Sequence, residues 1–185
     1  ESYQRHRLQL QLLNHCNPPQ RWLLKAPYHL PALEALARAY PDACIIHTHR
    51  DVVDAVTSTC SLYSVFRSTF SDLVDPFTVG RQQLSLLGDW FNGTVVARQR
   101  LVGSNVRFLD VHYAELMADP LQMAERILTF AGLEPEVAGR TAMTDWLAHN
   151  RQGKHGGHRY EPGQFGLDAG EIRERMAPYR NAFAV

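Results

Sequence analysis

Between Ala43 and Cys60 the chain changes its hydrophobic period within a few residues. ACIIHTH (43–49) is rich in β-branched residues and reads as a strand, while from about Val52 the apolar positions Val53, Val56 and Cys60 recur at helical spacing. A strand that runs straight into a long helix is the opening of a crossover connection, and the alternation recurs along the chain. RWLLKA (21–26) reads as a short strand ending in a loop at Pro27, followed by a helix over 30–40 that Pro41 stops. NVRFLDV (105–111) reads as a third strand, after a helix over 78–101 carrying Leu84, Leu87, Phe91 and Val95. Further helices are expected at 1–16, 120–131, 135–149 and 168–183, with the glycine-rich, basic stretch RQGKHGGHRYEPGQFG (151–166) between the last two. Such alternation implies a parallel sheet with helices on both faces, an α/β fold. Ligands of these sheets bind beyond the C-terminal strand ends. Tyr28, His29, Arg50, Asp51, His112 and Tyr113 all fall at those ends.

The 185 residues are enough for one domain with a sizeable core. Lysine plus arginine and aspartate plus glutamate total 19 each, so the chain lacks the basic surplus that general nucleic-acid binding requires. With 45% hydrophobic and 21% charged residues the composition is that of a soluble globular protein. Cys16, Cys44 and Cys60 are widely spaced and form no C-x-x-C pair. They read as free thiols of a reducing compartment, which points to the cytoplasm. No stretch approaches a membrane span and no signal peptide is visible. The chain starts at Glu1 without a methionine, so an upstream segment is expected.

Three segments carry chemistry. Arg50 stands where a strand becomes a helix, a position next to free backbone N–H groups, and its guanidinium can grip a phosphate bidentately. Ser58, two turns into the helix, can add a hydroxyl donor. The competing reading pairs Arg50 with Asp54 or Asp51 and leaves Ser58 as a surface serine; the residues alone do not separate the two. In RQGKHGGHRY, glycines 153, 156 and 157 allow close backbone approach to an anion and Arg151, Lys154, His158 and Arg159 supply charge. A solvated loop is the alternative there. In LLKAPYHLP (23–31), His29 precedes a helix where an imidazole near neutrality can act as general base, and Lys25 can neutralise developing negative charge. A histidine that only caps the helix is the plainer reading. His47 and His49 alternate on one strand face, as metal ligands do, but no third ligand can be named and strand packing explains them better.

Together these segments resemble the PAPS-dependent sulfotransferases, in particular the bacterial branch of that superfamily. LLKAPYHLPALEALARAYPDACIIHTHRD matches that branch's strand–loop–helix–strand block through its Lys-x-Pro-x-His element (Lys25–His29) and its Tyr-Pro-Asp-Ala…His-Arg-Asp element (Tyr40–Asp51). VHYAELMADPLQMAERILTFAGLE (111–134) is similar to the family's Tyr-Glu-Asp-Leu…Asp-Pro segment, and RQGKHGGHR (151–159) to its Arg-x-Gly-x-x-Gly loop. The ending, HRYEPGQFGLDAGEIRERMAPYRNAF, resembles the branch's C-terminal tail. Each motif is weak alone, but four in order over most of residues 21–183 are specific. The resemblance implies that Arg50, Ser58, Arg151, Gly153 and Lys154 hold the 3′-phosphate end of the nucleotide and that Tyr113 contacts the adenine. It implies His29 as catalytic base and Lys25 as a charge-stabilising residue. PAPS is then the donor and PAP the product, without a metal.

The sequence departs from the family pattern in three places. Ala114 stands for the usual glutamate and Gln152 for the usual lysine. The family's phosphosulfate loop, Lys/Arg-Ser-Gly-Thr-Thr, and the related G-x-x-x-x-G-K-[ST] pattern are not among the 185 residues. The expectation is therefore a single sulfotransferase-like domain over 1–185 that forms the C-terminal part of a longer one, in a P-loop-like fold without the N-terminal strand. A missing N-terminal segment or second chain would supply the loop. The acceptor is a small molecule, lipid or glycan, and Tyr63, Phe66, Phe70, Phe77 and Trp90 are candidates to line its cavity. The competing functions are a nucleotide-binding module without turnover and, with less support, a nucleotide kinase.

Overall fold

The computed structural model describes residues 1–15, 18–19, 21–134, 136–150 and 160–185. Helix α1 (Ser2–Asn14) leads through an irregular stretch to a 3-10 turn (Pro27–Ala32) that runs into α2 (Leu33–Ala39). Strand β1 (Cys44–His49) follows, then α3 (Val52–Ser68) and α4 (Pro76–Arg100), which return the chain to β2 (Arg107–His112). The two strands pair in parallel, from Cys44 opposite Arg107 to His49 opposite His112. Beyond β2 the chain is helical: α5 (Tyr113–Ala118), α6 (Pro120–Phe130), α7 (Val137–His149), a 3-10 turn (Pro162–Phe165), α8 (Ala169–Arg175) and α9 (Ala177–Phe183). No described helix is long and apolar enough to cross a membrane.

The helix starts are written in the sequence. Asp51 caps α3 by accepting from the Val53 and Asp54 N–H groups, and Asp75, ahead of Pro76, caps α4 in the same way. Val52, Val56 and Cys60 place one face of α3 against Val79, Leu84 and Leu87 of α4. The tail closes this core with Phe165, Leu167, Ile172, Met176 and Tyr179. Gly80 permits the closure, because a methyl group there would collide with the Phe165 carbonyl. Burial raises the Cys60 thiol to about 11, so it stays protonated inside the core.

Two expectations about the elements need correction. Residues 21–26 form no strand. A strand needs a hydrogen-bonded neighbour, β1 pairs with β2, and no other described segment pairs with them; Leu23 stands 93% exposed. The helix expected over 168–183 is two helices, because Pro178 lacks the N–H that would continue α8, and the chain restarts at Ala177.

Candidate functional site

At the C-terminal ends of the paired strands two of the expected residues meet. Arg50 follows β1, Tyr113 follows β2, and the parallel register brings their positions side by side. The guanidinium carbon of Arg50 lies 5.1 Å from the Tyr113 ring centroid, a cation–π contact. Arg50 also donates to Asp54 at 3.2 Å, one turn into α3. The side chains of that pair are 44% and 60% exposed. An exposed pair of this kind is worth at most about 1 kcal/mol, so an incoming phosphate can compete for the guanidinium. The expected free backbone donors at the start of α3 are partly taken: Asp51 already accepts from Val53 at 2.9 Å and Asp54 at 3.0 Å.

Ser58 lies half-buried on α3. Its neighbours Thr57 and Thr59 turn their hydroxyls back to the Val53 and Ala55 carbonyls, whereas Ser58 makes no such bond among the described residues. His29 sits in the 3-10 turn, its Nδ1 2.8 Å from the Tyr3 hydroxyl and its ring stacked on Tyr3. Burial, then the nearby His6, lowers its pKa, so the imidazole is neutral at pH 7. If Nδ1–H donates to Tyr3, the Nε2 lone pair is left to accept a proton; the opposite tautomer would remove that base. Lys25 is exposed in the irregular stretch. Arg151, Gly153 and Lys154, with His158 and Arg159, lie outside the described residues.

Beneath the strand ends lies a buried polar network that the sequence announced only by its two histidines. Arg98 of α4 holds both Asp110 carboxylate oxygens, at 2.8 and 2.9 Å. His49 Nε2 is 2.9 Å from Asp110, its Nδ1 2.7 Å from the Tyr179 hydroxyl, and His47 Nε2 3.4 Å from the same hydroxyl. One proton arrangement satisfies the set. Arg98 donates to Asp110 and to His47 Nδ1, His47 Nε2–H donates to Tyr179, Tyr179 donates to His49, and His49 Nε2–H donates to Asp110. Burial, then His49 and Arg98, pushes His47 down to about 3. Burial also lowers His49, against the hydrogen bond and charge of Asp110. Burial alone would raise the Asp110 carboxyl, but Arg98 and His49 outweigh it and hold it below the usual carboxylate range. Burial, then Asp110, raises the Tyr179 phenol. Ligand atoms of His47, His49 and Asp110 lie within 4.8 Å of one another, so the third metal-type group does exist. The Arg98 guanidinium on both Asp110 oxygens opposes a cation there.

A second feature opens where α3 hands over to α4. Tyr63, Phe66 and Arg67 of α3 and the following Phe70 face Leu73 and Val74 across an open cleft of about 580 Å³. Three of the five aromatics expected to line a cavity do so. Trp90 instead packs edge-on against Tyr28, and Phe77 lies over Gly166. The Tyr63 hydroxyl stands 3.3 Å from that of Tyr28, the residue before His29.

Comparison with known proteins agrees with the fold. The chain is similar to the sulfotransferase STF9 from Mycobacterium avium, at 29% identity and a TM-score of 0.87, over 99% of this chain and 46% of that one. It is also similar to the sulfotransferase STF1 from Mycobacterium tuberculosis H37Rv, at 32% identity and a TM-score of 0.78, over 95% of this chain and 44% of that one. The chain thus spans less than half the length of either structure. No curated protein matches it. Residues 2–137 match the profile of the sulfotransferase family, and the chain belongs to that family.

Proposed function

We propose that this chain is the 3′-phosphoadenylate-binding part of a PAPS-dependent sulfotransferase. The observation that carries the reading is the Arg50–Tyr113 contact at adjacent ends of parallel strands, where one charged and one aromatic group suit a phosphate and an adenine. Arg50 and Ser58 hold the 3′-phosphate, joined by Arg151, Gly153 and Lys154, and Tyr113 contacts the base. Arg50 reaches the phosphate by exchanging its exposed partner Asp54.

The transfer is in line. His29 takes the proton of an acceptor hydroxyl or amine as that oxygen or nitrogen bonds to sulfur. The bond from sulfur to the bridging phosphate oxygen breaks, its electron pair stays on that oxygen, and PAP leaves. Lys25, or a lysine or arginine of the phosphosulfate loop, stabilises the charge formed there; positioning and electrostatics supply most of the rate. We place that loop in an upstream segment or a second chain. The same segment covers the exposed Trp22 and Leu23, and the exposed Leu8 and Leu12 of α1. The enzyme acts in the cytoplasm.

Incubating the chain extended upstream with ³⁵S-labelled PAPS and a mixture of phenol, alcohol and sugar acceptors tests this. Labelled ester that disappears in His29→Ala supports it. Absence of transfer while PAP still binds leaves the alternative, a nucleotide-binding module without turnover.

A further inference from the structure

We infer that the cleft between α3 and α4 is the acceptor site and that it takes an apolar hydroxyl compound bearing an anionic group. The inference rests on the sulfotransferase reading for the word acceptor, while the ligand chemistry comes from the cleft itself. Tyr63, Phe66, Arg67 and Phe70 follow one another at i, i+3, i+4 and i+7, so they form a single stripe along α3 and its exit. Phe70 and Leu73 are 93% and 92% exposed, an apolar wall with no covering side chain among the described residues. Such walls cannot meet the hydroxyls of a sugar, each of which would lose water without a replacement. An aromatic or aliphatic body loses nothing there and gains by burial.

Charge sets the second requirement. The Arg67 guanidinium donates to the Gln82 amide oxygen at 2.6 Å, and no carboxylate among the described residues pairs with it. The carboxylate of the cleft, Asp75, is committed to capping α4 through the Phe77 and Thr78 N–H groups and the Thr78 hydroxyl. Asp75 stays ionised, but its oxygens are turned to the α4 N–H groups, so the Arg67 guanidinium is the group of the cleft that an anion can pair with. Orientation follows from the Tyr63 end, where the hydroxyl contact to Tyr28 joins the cleft to the turn that carries His29. Arg67 lies one helical turn further on, so acceptor hydroxyl and anionic group are set apart by a compact apolar body.

Three probes separate these requirements: 6-hydroxy-2-naphthoate, 2-naphthol and methyl glucoside, the first two followed by their own fluorescence and the third by competition. The expected order is hydroxynaphthoate over naphthol by about tenfold, the worth of one charge-assisted hydrogen bond, with no detectable binding of the glucoside. Arg67→Gln should bring hydroxynaphthoate level with naphthol and leave naphthol unchanged. Phe66→Ser should weaken both by about tenfold. PAP affinity, measured on the same variants, should not move, which shows that they are folded and keeps the two proposals separable. Loss of PAP binding with naphthoate binding intact sinks the nucleotide reading alone. Equal affinity for the two naphthols, an Arg67→Gln effect on both, or preference for the glucoside overturns the cleft proposal. So does loss of naphthoate binding when the chain is extended upstream, since the cleft would then hold protein rather than acceptor.

Discussion

His49 and Arg50 are neighbours in the chain and opposites in the fold. The His49 ring is fully buried, with each nitrogen bonded, to Tyr179 and to Asp110. The Arg50 side chain lies at the surface, held by one exposed ion pair and the face of one ring. The last strand residue belongs to a lock that joins β1, β2, α4 and α9, and the next belongs to a surface that can exchange partners. A binding group gains by standing one residue beyond a rigid lock, because its backbone is held while its side chain pays little to leave its resting contact.

The largest expected break is in the lock. Arg98→Met leaves the Asp110 carboxylate without its bidentate partner, and with Asp110 only partly buried a loss of about 3 kcal/mol is expected in urea unfolding. The pH dependence comes next. An unfolded histidine takes up a proton near 6.5, whereas His47 in the fold does so only near 3. Between those values the unfolded chain binds more protons, so stability rises with pH and is lost as pH falls below 6.5, by about 1.4 kcal/mol per unit for this one group. Asp110, held below its ordinary value, adds its own loss only as pH falls through about 3.8 and lower. Unfolding midpoints from pH 7 to 4 check the slope; a flat profile would mean that the histidines are not held neutral. Tyr179→Phe removes one hydroxyl from the network and should cost about 1 kcal/mol.

The exposed side of the comparison predicts small stability effects with clear binding effects. Arg50→Ala should change stability by less than about 0.5 kcal/mol, since an exposed pair contributes little. Asp54→Asn frees the Arg50 guanidinium and should tighten PAP binding by roughly two- to threefold, as expected when a weak competitor is removed.

What could be read from the sequence divides along the same line. Local signals were enough for β1, β2, α3 and α4: β-branched or alternating apolar runs for the strands and helical spacing of apolar residues for the helices, although the fully buried residue that opens the α3 face is Val52 and not the expected Val53. They also placed Arg50 and Tyr113 at C-terminal strand ends, but the contact between the two side chains comes from the parallel register of β1 and β2, which no local signal gives. RWLLKA misled because an apolar run becomes a strand only where a partner strand exists. The lock could not be assembled, since Asp110 and Tyr179 lie 61 and 130 residues from His49 and nothing local marks them as its partners. Burial of the tail against α3 and α4 is long-range in the same way. The short α5 after Tyr113 and the turn at Pro162–Phe165 carried too few residues to show a period.

The central claim is that Arg50 marks a 3′-phosphate site. Its most direct test is calorimetric titration of the chain, alone and extended upstream, with adenosine 3′,5′-bisphosphate and with 5′-AMP, beside Arg50→Ala. A preference for the bisphosphate of about tenfold or more, lost in Arg50→Ala with the melting temperature unchanged, is the predicted result. Equal affinity for the two nucleotides in the extended chain, or a preference indifferent to Arg50, would contradict it.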